Sequence, residues 1–366
     1  MLSIAGKPIL QYVVEALAEN GIRQIVIVVG YRREQIFDYL GTGEKFGVDI
    51  VYITQERQLG TAHALAQVRS VAGNEFLVLP GDNLIDAETI ARFVTVKPNA
   101  VLVKKVEKPA QYGVVTIEKD FIKEMVEKPK EAKSDTINTG IYALTKEVFD
   151  FIGTELDIPD VVNKMLAQDY VFRALETDGT WLDVAYPWDM IGLNAAILDR
   201  IPANLGGVIE SGVSVKGLVS IGKETVVRSN SYIIGPVVIG EKCDIGPNVC
   251  ILPATSIGDN VVVSPFTTID NSVIGDDVNI GPTSMVQDSV IDQGCIIKGH
   301  FTAGSGGADI KINDEYHQVN VGAMLGVCCS LGHSVAAQPG VIVGNYSQVQ
   351  AMKTLSGRIP DRSLVF

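Results

Sequence analysis

The densest group of side chains able to do chemistry is Gln55-Glu56-Arg57-Gln58-Leu59-Gly60-Thr61-Ala62-His63-Ala64. A glutamine amide offers a donor and an acceptor together, so Gln55 suits the edge of a pyrimidine ring. Gly60 lets backbone approach a flat base, and Thr61 suits the cap of a following helix. The same stretch also reads as a plain loop entering a helix, with His63 lining one face. Leu79-Pro80-Gly81-Asp82-Asn83 follows an apolar run, where parallel α/β sheets open their ligand crevice. A carboxylate at Asp82 can hold Mg²⁺ against phosphate oxygens, or cap the next helix as turn aspartates commonly do. Asp183, in Trp181-Leu182-Asp183, is a second candidate carboxylate, whereas Asp189, just after Pro187, reads as a first-turn helix residue. Between them, Glu127 and Asn138 can hydrogen-bond sugar hydroxyls, Gly113 can offer backbone, and Lys128 can meet a sugar phosphate.

These positions need a scaffold, and the first 200 residues supply strands alternating with helices. Helix patterns cover about 7–20 and 32–40, and another begins near Thr61. Apolar strands cover Gln24 to Val29, Asp49 to Ile53 and Phe76 to Leu79. Further strands are expected at about 99–106, 112–117, 121–126 and 137–144, with helices near 145–152, 157–168 and 188–200. This alternation predicts an α/β, doubly wound, mostly parallel sheet of Rossmann type over 1–200, then a linker over 201–207.

From Ile209 to Ile269 every sixth residue is isoleucine or valine. With 46% hydrophobic residues, eleven such hits in one register arise by chance about 2 times in 10,000. The period predicts a parallel, left-handed β-helix of hexapeptide repeats over 208–366, with one inward apolar residue per side. Glycine follows several inward residues (Gly222, Gly240, Gly246, Gly258), which suggests corners with positive φ. The register slips by one after Ile269, meets an insert at about 301–318, and is expected to resume at Val319.

A net charge of −13 argues against nucleic-acid binding. Apolar runs are strand-length and no signal peptide is read, so a cytoplasmic protein without a membrane span is expected. The five cysteines all lie in the repeat half and form no CxxC pair, which favours reduced residues over disulfides or zinc ligands.

Taken in order, Gln55–Ala64, Gly81-Asp82, Tyr112-Gly113, Glu127-Lys128-Pro129, Asn138-Thr139-Gly140 and Trp181-Leu182-Asp183 resemble the sugar-1-phosphate nucleotidylyltransferases. With the repeats, nearly the whole chain resembles archaeal-type glucose-1-phosphate thymidylyltransferases and the bifunctional relatives that make UDP-N-acetylglucosamine. The resemblance implies transfer of a nucleotidyl group from UTP or dTTP to a sugar 1-phosphate, with release of pyrophosphate. It assigns Gln55, Gly60 and Thr61 to the base, Asp82 and Asp183 to Mg²⁺, and Gly113, Glu127, Lys128 and Asn138 to the sugar phosphate. That family opens with a strand and a GxGTRxxP loop. Met1-Leu2-Ser3-Ile4-Ala5-Gly6-Lys7-Pro8 resembles the segment just after it. The expectation is that roughly 20–30 residues, including a central strand and a phosphate loop, are missing and activity is impaired.

For the repeat half the resemblance offers an alternative activity, acetyl transfer from acetyl-CoA to glucosamine 1-phosphate with His300 as base. Ala303 stands where those relatives carry tyrosine, and His317 and His333 are other histidines of this half. The remaining readings are assembly into a homo-oligomer, trimer or larger, and a noncatalytic sugar-nucleotide-sensing scaffold.

Overall fold

The computed structural model describes residues 3–30, 33–312 and 315–366. Met1 and Leu2 of the opening segment, position 32 at the expected start of the second helix, and positions 313 and 314 of the insert lie outside the described residues. The chain divides into two compact units. One runs from Ile9 to Asp183, and the other contains Val184–Phe366 together with the strands β1 (Ser3–Ile4) and β2 (Lys7–Pro8). Residues 184–200, expected with the first domain, thus pack with the repeats. Helix α7 (Asp189–Leu198) belongs with the repeats because Asn194, wholly buried, ties two backbones together there. Its Oδ1 accepts from the Ala5 N–H at 2.9 Å and its Nδ2 donates to the Ala254 carbonyl at 2.8 Å.

The first unit is built from α1 (Ile9–Glu19), β3 (Gln24–Val29), α2 (Arg33–Leu40), β4 (Asp49–Thr54), α3 (Thr61–Gln67), β5 (Glu75–Val78), β6 (Asn83–Ile85) and α4 (Ala87–Phe93). It continues through β7 (Ala100–Lys105), β8 (Gly113–Glu118), β9 (Phe121–Glu127), β10 (Thr136–Thr145), α5 (Val148–Ile152), α6 (Ile158–Leu166), β11 (Arg173–Glu176) and β12 (Trp181–Asp183). Helices cover both faces, as a doubly wound domain requires. On β7, Ala100 and Leu102 pack with Val13 of α1 and Phe93 of α4, while Val101 and Val103 pack with Leu65 of α3 and Met165 of α6. A strand buried on both sides must be apolar at consecutive positions, and the run Ala-Val-Leu-Val is.

The strand directions correct the mostly parallel expectation. The six-stranded sheet has the order β5-β10-β7-β11-β9-β8, and only β7 and β11 run parallel in it; β3 and β4 form a separate parallel pair. Antiparallel pairing joins β10 to β5 and β7, and β8 to β9. The reason is local. Lys119 and Asp120, both at positive φ, make a two-residue turn between β8 and β9, and so short a link can only reverse the chain. Val26 on β3 and Val51 on β4 remain 37% and 45% exposed.

The second unit is a parallel β-solenoid of three sheets, with nine, nine and eight strands. Strand partners lie 18 residues apart where the hexads are regular, as in Ile221–Ile239–Ile257, and 17 apart where the register slips, as in Ile257–Ile274–Ile291. The inward isoleucines and valines from Ile221 to Ile269 are buried in one continuous core. The strands of the solenoid begin earlier than expected. Asn204–Leu205, read as linker, already pairs with Ser220–Ile221 as a strand of the first sheet. Gly222, Gly240, Gly246 and Gly258 do not have positive φ. The left-handed corners are mostly non-glycine residues, among them Glu224, Asn230, Lys242, Asn248, Asn260, Phe266 and His300, with glycine at a few, such as Gly212, Gly294 and Gly340. Gly222 and Gly240 serve a different need. A Cβ on Gly222 would lie 2.6 Å from the carbonyl carbon of Gly240, and one on Gly240 would lie 2.6 Å from that of Gly258. Coils stack too closely in this column for any side chain.

The insert is an antiparallel hairpin, Gly306–Ile312 with Glu315–Val321, rather than 301–318. Phe301 is in the solenoid core and Thr302–Ala303 is a solenoid strand. Val319 pairs with Ala308 in the hairpin, so the coil resumes at Met324–Leu325. All five cysteines are free, and Cys243, Cys295 and Cys329 are buried. Among the described residues no helix is long and apolar enough to cross a membrane.

Gly240→Ala is expected to destabilise the solenoid by about 1–3 kcal/mol through overpacking. Gly192→Ala in α7, where a Cβ meets nothing within 4 Å, should instead be neutral or stabilising by up to about 1 kcal/mol. Urea unfolding of both variants checks the contrast.

Candidate active site

The sugar-side residues named from sequence converge at an irregularity in β10. The pairing of β10 with β7 shifts between Asn138 and Tyr142, a bulge that re-aims the intervening residues. Asn138 is anchored there: its Oδ1 accepts from the Gly140 N–H at 2.9 Å, and its Nδ2 donates to the buried Tyr142 hydroxyl. Burial pushes the Tyr142 hydroxyl well above the usual phenol range, so it stays protonated. Gly113 pairs in register with Glu127 across β8 and β9. A Cβ on Gly113 would sit 2.8 Å from Glu127 Oε2 and 3.6 Å from Asn138 Cβ. The missing side chain is therefore what lets a carboxylate and an amide come together beside Gly113.

Glu127 is raised above the usual glutamate value. Loss of water around it is the main cause; Lys128 opposes the shift, and Asp157 and Asp160 add to it. Solvent still reaches the residue. Lys128 is exposed and has φ 41°, a left-handed conformation that a lysine adopts at a cost. The Lys128 N–H donates to the Tyr112 carbonyl at 3.1 Å, which fixes the turn.

The same bulge holds the two strands that carry the carboxylates. The Thr139 carbonyl accepts from Asn83 Nδ2 at 3.2 Å and from Trp181 Nε1 at 3.1 Å. Asn83 and Trp181 lie on β6 and β12, which pair antiparallel with Asp183 opposite Asn83. Asp82 directly precedes Asn83, so both carboxylates belong to the same end of one two-stranded ladder. Gly140, at φ 79°, lies against Pro80, where a Cβ would come within 2.7 Å of its ring. Neither aspartate is buried: Asp82 is exposed and Asp183 half-buried.

The base loop departs from expectation in detail. Gln55 is buried, and its Nε2 donates to the Gly60 carbonyl at 3.2 Å and lies 2.8 Å from His63 Nδ1. Its donor side is thus engaged inside the protein, so the expected paired donor and acceptor reduce to the acceptor. Gly60, at φ 146°, is required by the chain itself, since a Cβ would strike the Leu156 carbonyl. Thr61 does not cap its own helix. Its Oγ1 accepts from the Ile158 N–H at 3.0 Å, at the start of α6, while the Thr61 N–H donates to Asp157 Oδ1 at 3.3 Å. The ends of α3 and α6 cap each other.

Asp157 was not singled out from the sequence, yet it touches Thr61 and acts electrostatically on Glu127. Its only sequence signal is its place before Ile158-Pro159 at a helix start. Asp189 is a first-turn residue of α7 as expected, accepting from the N–H groups of Ala185 and Tyr186. His300 occupies an exposed left-handed corner at φ 59°, equivalent to the other corner residues, and its ring has no hydrogen-bonded acid among the described residues. His317 instead packs in the hairpin against Tyr186 and Trp188, with ring centroids 4.4 and 5.8 Å away.

Comparison with known proteins identifies the family of the chain. Residues 1–200 match the family model for nucleotidyl transferase, and residues 233–365 match that for the GMPPB C-terminal domain. The bifunctional protein GlmU of Methanococcus maripaludis is 32% identical over all of this chain and 91% of its own length. A bifunctional sugar-1-phosphate nucleotidylyltransferase/acetyltransferase of Sulfurisphaera tokodaii is 31% identical over 94% of this chain and 89% of its own. Among solved structures, a Bacillus anthracis protein assigned as a glucose-1-phosphate thymidylyltransferase matches with TM-score 0.50 at 30% identity, covering 56% of this chain and 87% of that one. The fold of the first unit, the order of its motifs and these likenesses together make the chain a member of the nucleotidyl transferase family.

Proposed function

We propose that this protein transfers a nucleotidyl group from UTP or dTTP to a sugar 1-phosphate and releases pyrophosphate. The observation that carries the reading is the single bulge at Asn138–Tyr142. Glu127, Asn138 and Gly113 gather around it, and its Thr139 carbonyl also tethers the strands bearing Asp82 and Asp183. In this reading Glu127 and Asn138 accept and donate to sugar hydroxyls, and Gly113 leaves room for the ring. Lys128 faces the sugar phosphate and offsets its charge.

The phosphate of the sugar 1-phosphate attacks the α-phosphorus in line, the bond to the β-phosphate oxygen breaks, and pyrophosphate leaves. No covalent enzyme intermediate is required, so positioning and charge stabilisation supply the rate. Two carboxylates at one ladder end are a hard-oxygen donor set that suits Mg²⁺ together with phosphate oxygens, and Asp82 and Asp183 are the residues that would hold it. When bound, Mg²⁺ offsets charge on the phosphates. Gln55 accepts from the imide N–H of the base, and the Gly60-Thr61 backbone borders it. Acetyl transfer is not part of this reading: His300 is an exposed corner residue whose ring has no hydrogen-bonded acid among the described residues.

Asp82→Asn and Asp183→Asn should each lower pyrophosphate release by at least about a hundredfold while sugar 1-phosphate binding survives. Full turnover in either variant across a Mg²⁺ titration would remove both from the metal site. Lys128→Gly should abolish most turnover yet leave the melting temperature unchanged or higher, because glycine accepts the left-handed backbone. The raised carboxyl of Glu127 sets a pH dependence. Its proton is held in the folded protein above the ordinary glutamate value, so stability falls as pH rises from that value through the raised one. Glu127→Gln should therefore gain melting temperature relative to the parent across that window. It should also flatten the acid limb of kcat/KM for sugar 1-phosphate, as read from paired pH profiles.

A further inference from the structure

We infer that His63 is a specificity-determining positioning residue: by holding the Gln55 amide in one orientation it makes the base site select uracil and thymine over cytosine. The inference rests on the nucleotide-binding role proposed for the Gln55 loop. Gln55 is only 8% exposed, and its Nε2 has two hydrogens. One points to the Gly60 carbonyl at 3.2 Å and the other to His63 Nδ1 at 2.8 Å. Turning the amide over would set Oε1 against the Gly60 carbonyl, two acceptors face to face. His63 Nδ1 must then be the unprotonated nitrogen, with the ring proton on Nε2.

The consequence is that Gln55 offers a ligand its acceptor alone. Uracil and thymine carry a donor at N3, which matches. Cytosine carries an acceptor there, which an orientation-locked Oε1 rejects. The lock has two supports of different kinds. The Gly60 carbonyl is fixed by the tight approach of Leu156 to Gly60, and His63 is fixed by helix α3, which Ala62 and Leu65 anchor in the core. Removing His63 leaves one support, and the amide can turn its Nε2 toward cytosine N3.

The test compares kcat/KM for UTP, dTTP and CTP in the full chain and in His63→Ala and His63→Asn, with folding checked by circular dichroism. Asn offers an acceptor oxygen close to where Nδ1 stands. The CTP-to-UTP ratio should rise roughly ten- to hundredfold in His63→Ala and return toward the parent value in His63→Asn. A folded His63→Ala with an unchanged ratio, or a failure of His63→Asn to restore it, overturns the inference. So does a ¹⁵N spectrum of the parent protein showing the proton on Nδ1 of His63. Should the parent turn over none of the three triphosphates, the proposed function falls. Dissociation constants for UTP and CTP in the same three proteins then decide the inference by the same ratios.

Discussion

Much of the first unit's geometry depends on one backbone carbonyl. Thr139 lies in the bulge of β10, out of the ladder that β10 makes with β7, and its oxygen receives both Asn83 and Trp181. A buried carbonyl left unpaired is costly, and here two side chains from distant stretches answer it. Those two side chains fix the ladder of β6 and β12, and that ladder sets Asp183 opposite Asn83, beside Asp82. The same bulge gives Asn138 its bond to Gly140 and makes the left-handed glycine against which Pro80 packs. Asn138 and the ladder that carries Asp183 beside Asn83 thus share one origin in the main chain.

The base loop has a comparable knot. Helices α3 and α6 satisfy each other's first N–H groups through Thr61 and Asp157, where ordinary helices use caps of their own. Loss of water lifts the Glu127 carboxyl above its usual value, and the negative charges of Asp157 and Asp160 add to that shift. Thr61 and Glu127 thus both interact with the start of one short helix, the first by hydrogen bonding and the second by electrostatics.

The solenoid obeys a simpler rule. Each inward residue packs on its equivalents one coil away, and a column of glycines lets the coils approach. His300 is one corner residue among many in that arrangement.

Residue types and their order were enough to read the alternation of strands and helices, the hexad core, and the family to which the chain belongs. Those features are local or periodic. Strand directions were not legible, because the turn at Lys119-Asp120 carries no glycine and its two positive φ values have no signature in composition. The glycine column was misread for a related reason: Gly222 and Gly240 answer to a neighbouring coil 18 residues away, not to their own φ. Likewise His63 and Asp157 look like ordinary helix-end residues until the folded chain sets them against Gln55 and Thr61. Sequence fixes what a residue can donate, accept or bury, whereas the partner that uses that capacity is chosen only when remote backbone closes on it.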